Sequence, residues 1–281
     1  MVGVSTKEKY KLEFINGESL LEFGFLEGFT DAVICIRADH SNGNTNNCNQ
    51  KKVITMVDQI TTVTIFKLKS LASNFWAFQQ VPMAVFKLKK VPGLTFFKSM
   101  GSGGGKGFDF MPSFSTYAWL LVWENQQFAD DFYATNAYFQ TYQKKCLSVQ
   151  TLYLKNIVSH GKWSGVSPFQ QGAIMDDTSK IVVLTRARIK FLRLWQFWNK
   201  VGRTANELYK FDELEYAIGI GELPFIQQAT ISIWKNYEAM KRYAYLDETH
   251  KNVIKLTQKY KWYSEELFAR FVLVSSVNQT L

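Results

Sequence analysis

The sequence predicts an α+β fold built from two copies of one β-α-β-β-α-β unit. Three paired segments predict it. Thr64–Trp76, with I-F-K-L-K ahead of F-W, is answered by Val183–Trp195, with L-T-R-A-R ahead of L-W. M-G-S-G at Met100–Gly103 is answered by I-G-I-G at Ile218–Gly221. A-W-L-L-V-W at Ala118–Trp123 is answered by A-T-I-S-I-W at Ala229–Trp234. The order is kept and the spacing nearly so, as in an internal repeat. In this overlay Lys67 and Lys69 meet Arg186 and Arg188, and Trp76 meets Trp195.

Each element follows from local pattern. Residues 1–52 lie outside the repeat and read as an extension, with the polar stretch Ser41–Gln50 too poor in apolar residues to bury much. The first unit takes residues 53–158. Ile60–Leu68 is rich in β-branched residues and predicts a strand. Lys69–Lys90 carries Leu71, Phe75, Phe78 and Phe86 at largely helical spacing despite Pro82. Pro92-Gly93 is a turn, followed by strands at Leu94–Met100 and Thr116–Trp123. Glu124–Lys145 predicts a helix and Leu147–Leu154 the closing strand. Residues 159–179 form a linker, and 180–281 the second unit. Its strands are Ile181–Ile189, Leu214–Ile220, Ala229–Trp234 and Glu266–Val274, with helices at Phe191–Tyr209 and Tyr237–Tyr260. Both units read as ferredoxin-like. Their bare sheet faces are expected to pack face to face, in the manner of a dimeric α/β barrel, around an interior suited to a ligand cavity.

Composition narrows the function. An aromatic content of 16% exceeds what a minimal core needs and fits either dense packing or an apolar cavity. A net charge of +9 favours anionic partners, but the lysines are spread along the chain, so no nucleic-acid partner is expected. Three cysteines without C-x-x-C spacing argue for a reducing compartment and against a disulfide or zinc scaffold. The first residues have no apolar core of a signal peptide, and no stretch reaches the ~20 apolar residues of a bilayer span. The expected place is the cytoplasm, including the inner face of the membrane.

Few residues carry recognisable chemistry. His250, in D-E-T-H-K-N, falls in the last helical region before the final strand, where it either stays on the surface or points at the sheet as an iron ligand. His40 and His160 fall in the leader and the linker and are poorer candidates. Arg186 and Arg188 sit two apart on one strand and so share a face. Either they hold a structural salt bridge or they clamp a carboxylate such as a propionate, with Arg270 as a third candidate. Met100–Gly107 lacks the G-x-x-x-x-G-K-[ST] spacing and joins two strands, so it reads as a hairpin bend.

Six segments together resemble the spheroidene monooxygenase family of carotenoid biosynthesis. They are F-W-A-F (Phe75–Phe78), P-G-L-T-F-F-K-S-M-G-S-G (Pro92–Gly103), W-S-G-x-x-P-F (Trp163–Phe169), L-T-R-A-R-I (Leu184–Ile189), I-G-I-G-E-L-P-F-I-Q-Q (Ile218–Gln228) and S-E-E-L-F-A-R-F (Ser264–Phe271). The resemblance covers about Ile60 to Val274. It implies a haem-dependent monooxygenase that makes a keto-carotenoid from an acyclic carotenoid and takes electrons from an external donor such as ferredoxin. His250 then matches the family's iron ligand, with Arg186, Arg188 and Arg270 as haem contacts and O2 as co-substrate. The implied partners are a hydrophobic isoprenoid, an electron-transfer protein and a peripheral membrane contact, for which Phe191–Trp198 mixes aromatic and basic residues. A non-catalytic protein of the same fold, holding haem or another hydrophobic ligand, is the alternative.

Overall fold

Alternating β-branched residues in I-T-T-V-T-I-F-K-L give β1 (Ile60–Leu68), which pairs antiparallel on both sides and is buried along nearly its whole length. In the computed structural model, residues 58–103, 112–201, 211–246, 255–257 and 259–281 are described. The extension at 1–52, residues 104–111 with part of the expected hairpin bend, and His250 lie outside them. After β1 come α1 (Leu71–Leu88), β2 (Leu94–Gly103), β3 (Pro112–Trp123), α2 (Gln126–Thr135), α3 (Ala137–Gln143) and β4 (Cys146–Gly161). Then follow β5 (Ile181–Ile189), a 3-10 turn at Phe191–Arg193, α4 (Leu194–Val201), β6 (Leu214–Leu223), β7 (Gln227–Trp234), α5 (Tyr237–Leu246) and β8 (Tyr263–Thr280).

Caps explain where the helices begin. The Ser70 hydroxyl accepts the Ser73 amide at the start of α1, and Asn125 accepts the Phe128 amide at the start of α2. One helix is expected over Glu124–Lys145, but the chain forms two. Asn136 adopts an extended conformation and its side chain accepts the Tyr138 and Phe139 amides, ending α2 and starting α3. β4 also runs through His160 into the expected linker, because β8 continues to pair with it there.

The strands close a barrel in the order β1-β3-β2-β6-β7-β5-β8-β4. Each half contributes four neighbours, β4-β1-β3-β2 and β8-β5-β7-β6. The halves meet edge to edge at two seams, β2 with β6 and β4 with β8, rather than as separate sheets stacked face to face. Closure satisfies the four edges that stacked sheets would leave unpaired. The expected cavity inside is absent among the described residues. Val63, Ile65, Leu120, Leu152, Leu184 and Phe271, with their neighbours, fill the interior.

Partner strands also set the correspondence between halves. Ile60 pairs with Trp123 as Ile181 pairs with Trp234, and Leu94 pairs with Trp123 as Leu214 pairs with Trp234. The overlay read from sequence is therefore two residues out of register in two of its three segments. Arg186 matches Ile65, not Lys67, and Ile220-Gly221 matches Met100-Gly101. Trp76 is packed against Tyr142, whereas Trp195 is 81% exposed. Basic residues near strand ends misled the overlay, since strand register is decided by pairing across the sheet.

Candidate functional site

Five of the six family-like segments meet at one mouth of the barrel. The Lys98 ammonium donates to Glu222 Oε2 and to the Ser164 hydroxyl, each at 2.7 Å. The Trp163 indole N–H donates to Glu222 Oε1 at 2.5 Å. Arg186 is ion-paired with Glu265, lies 3.8 Å from Glu222, and sits with its guanidinium over the Trp163 ring. The Ser164 and Gly165 amides, turned by positive φ at both residues, donate to Glu265 at 3.1 and 2.7 Å. Burial raises the Glu265 carboxyl, but the Gly165 amide, Arg186 and the Ser164 amide outweigh it and leave it below its ordinary value. These groups pair with one another, apart from the buried Arg186 Nε, which has no hydrogen-bond partner among the described residues, and the fully buried Trp163 plugs the barrel. Arg186 is thus held in a protein salt bridge inside the barrel. Arg188, at the exposed end of the strand, does not act with it as a buried pair.

The outer faces of the two halves differ in the size of their side chains. In the first half Trp119, Leu121, Phe66 and Phe97 pack under the helices. The matching positions in the second half are Thr230, Ser232, Ala187 and Ala217. The helices differ in the same sense. The Tyr133 hydroxyl of α2 bonds Thr64 at 2.7 Å and Thr62 at 2.9 Å, roofing a Thr64 that is 0% exposed. Burial pushes that phenol up to about 12. Its counterpart in α5 is Ala244, and Thr185, the counterpart of Thr64, is exposed in the middle of a strand with neighbours on both sides. Shared contacts hold the rest of α5 in place: Tyr243 stacks on Trp234 at 5.1 Å as Phe132 packs on Trp123 at 5.1 Å. Among the described residues, the second half keeps the frame and omits the filling.

Pairing extends this open face in both directions. One row runs Gly219, Thr230, Thr185, Phe268, His160 across β6, β7, β5, β8 and β4. The next row contains Ser232, Val183 and Arg270. Arg270 is 4% exposed, with its guanidinium over the Tyr237 ring at 4.9 Å, and it faces away from Arg186 across the barrel wall. His160, set aside from sequence as a linker residue, is a strand residue of this face. Its Nε2 is buried with no hydrogen-bond partner among the described residues, and burial and then the Arg270 charge hold the imidazole below its ordinary value. The signal available in sequence was the β-branched pair Ile157-Val158 just before it, which allows the strand to continue. Tyr138 is stacked on Trp119 at 5.2 Å in the filled half. No cluster of three or more metal-ligating side chains occurs among the described residues.

No family model matches the chain. Over 222 residues, 79% of this chain and 68% of the relative, it is 29% identical to spheroidene monooxygenase of Cereibacter sphaeroides. It is 29% identical to the enzyme of the same name from Rhodobacter capsulatus over 219 residues, 77% of this chain and 91% of that one. Among solved structures, an aldoxime dehydratase superposes with a TM-score of 0.52 over 81% of this chain and 86% of that chain at 8% identity, a likeness of fold alone. The chain is an oxidoreductase of the monooxygenase class. Over most of its length it resembles the spheroidene monooxygenases.

Proposed function

We propose that the chain oxygenates an acyclic carotenoid at the open outer face of its second half, with haem bound there. The uncovered Thr185, in a fold whose first half is filled at the same place, is the observation that carries the reading. The residues fit such a group: small side chains along β6 and β7, a buried cation at Arg270, and an orphaned imidazole nitrogen at His160. His250 is the iron ligand in this reading. Arg270 is the better contact for an anionic edge, since Arg186 is occupied by Glu265 and Arg188 is exposed. The two halves are read as a duplicated ferredoxin-like unit in which one copy was filled and the other left open.

Bound haem supplies oxygen activation. The chain's own residues hold the group, orient the polyene over small side chains and keep a neutral imidazole beside the site. In each round one atom of O2 enters the substrate and the other leaves as water, with two electrons from an external donor such as ferredoxin. Carrying a methylene to a ketone takes two rounds and loss of water. The test is the purified protein's spectrum together with the pigment of cells that make an acyclic precursor. A Soret band that is lost or strongly shifted in His250→Ala, and a ketone of longer absorption maximum labelled from O2, are expected. A haem-free chain that leaves every carotenoid unchanged would overturn the reading in favour of a binding protein.

A further inference from the structure

The outward face of α1 has no cover among the described residues. Leu71 is 86% exposed, Phe75 66%, Phe78 55%, Met83 43% and Phe86 74%. Their spacing puts them on one side of the helix, while Ser73, Ala77, Ala84 and Leu88 face the sheet. Phe114 of β3, 56% exposed, extends the strip and meets Phe78 with ring centroids 6.1 Å apart. An exposed apolar strip of this size calls for an occupant.

Charge selects the occupant. From Gln59 to Phe108 the sequence contains no Asp or Glu, although the chain has 24 of them. The same stretch holds seven lysines and no arginine. Lys67 and Lys69 lie exposed before α1, and Lys87, Lys89 and Lys90 lie exposed at its end. An apolar strip flanked by cations and free of anions matches an anionic bilayer surface, where the rings enter the acyl boundary and the ammonium groups meet headgroups. A second copy of the chain is a poorer match, because a two-fold contact would set these lysines against themselves. We propose that α1, with Phe114, is the surface by which this protein docks on an anionic lipid bilayer. This differs from the sequence expectation at Phe191–Trp198, where Phe191, Leu192 and Trp195 are exposed but Phe197 is buried against Ile189 and Trp262.

Flotation of the full-length protein with vesicles tests this without reference to haem or turnover, so its failure is separate from failure of the oxygenase reading. Phosphatidylglycerol vesicles should carry the protein up, and phosphatidylcholine vesicles should carry far less. Phe75→Ser with Phe78→Ser and Phe86→Ser should cut the bound fraction at limiting lipid by roughly tenfold or more. Lys87→Glu with Lys89→Glu and Lys90→Glu should abolish the preference for anionic lipid and its sensitivity to salt. Phe191→Ser with Trp195→Ser should bind as the unaltered chain does. Circular dichroism and the thermal midpoint verify that each variant is folded. Unchanged flotation of folded α1 variants, loss only in the Phe191/Trp195 variant, or a dimer that the α1 changes dissociate while no vesicle binding is seen, would each overturn the assignment.

Discussion

At the scale of single residues, burial decides which charges matter. Arg186 is held among carboxylates at the barrel mouth, and its side chain is only 2% exposed. Arg186→Met leaves Glu265 and Glu222 without that cation and should cost about 3 kcal/mol, the low end for a broken buried pair because both carboxylates keep some water. Urea unfolding measures it, and adding Glu265→Gln should return part of the loss. His160 makes the opposite kind of contribution. Its folded value lies below the ordinary 6.5, so below about that pH the unfolded chain takes up a proton that the folded chain resists. Stability therefore falls as pH drops through 6.5 toward the folded value, and recovers above it. His160→Gln should flatten that part of the curve, read as urea midpoints at about pH 5 and about pH 7. A slope that survives the change would mean that another group carries it.

At the scale of elements, the two helical layers illustrate how one frame serves two ends. Asn125 and Asn236 cap α2 and α5 alike, accepting the amides of Phe128 and Ala239. Tyr133 then reaches down to the threonines of β1, while Ala244 cannot. Thr230→Trp would place in the second half the residue that Trp119 provides in the first. The folded state should survive, since Thr230 lies on a half-buried outer surface rather than in the barrel interior. Haem retention should be lost, seen as absence of the Soret band in a protein of near-wild-type thermal midpoint. A variant that folds and keeps an unshifted band would move the site elsewhere.

At the scale of the molecule, the two seams are unequal. β4 and β8 pair from Ser148 with Thr280 to Gly161 with Leu267. Among the described residues, β2 and β6 pair only at Gly101 with Gly221 and Ser102 with Ile220, helped by the Ser102 hydroxyl donating to the Gly219 carbonyl at 3.0 Å. The glycine there is required sterically: a Cβ on Gly221 would lie 2.6 Å from the Gln227 carbonyl oxygen. Local opening should follow the weaker seam. Hydrogen exchange should therefore free the β2 and β6 seam amides well before those shared by β4 and β8. Equal protection along both seams would contradict this.

Much of the frame was legible in sequence. β1 and β5 occupy the predicted residues because strand propensity there agrees with pairing to a neighbour on each edge. The alternation of strands and helices was likewise written in local pattern. The family-like segments were recognisable as a set, yet their role was not, because a plug assembled from Lys98, Trp163, Arg186, Glu222 and Glu265 joins residues far apart in the chain. Edge-to-edge closure was also beyond local reading, since seam pairing depends on which edges meet. His160 was misplaced because the end of its strand, beyond the reach of β1, pairs with β8 more than 100 residues later. The open face is a difference between matching positions, and the match itself had to come from strand register. Sequence by itself determined the elements and the kinship of this chain; the tertiary structure decided what is filled, what is left open and which charges are buried, because those are properties of contacts between distant segments.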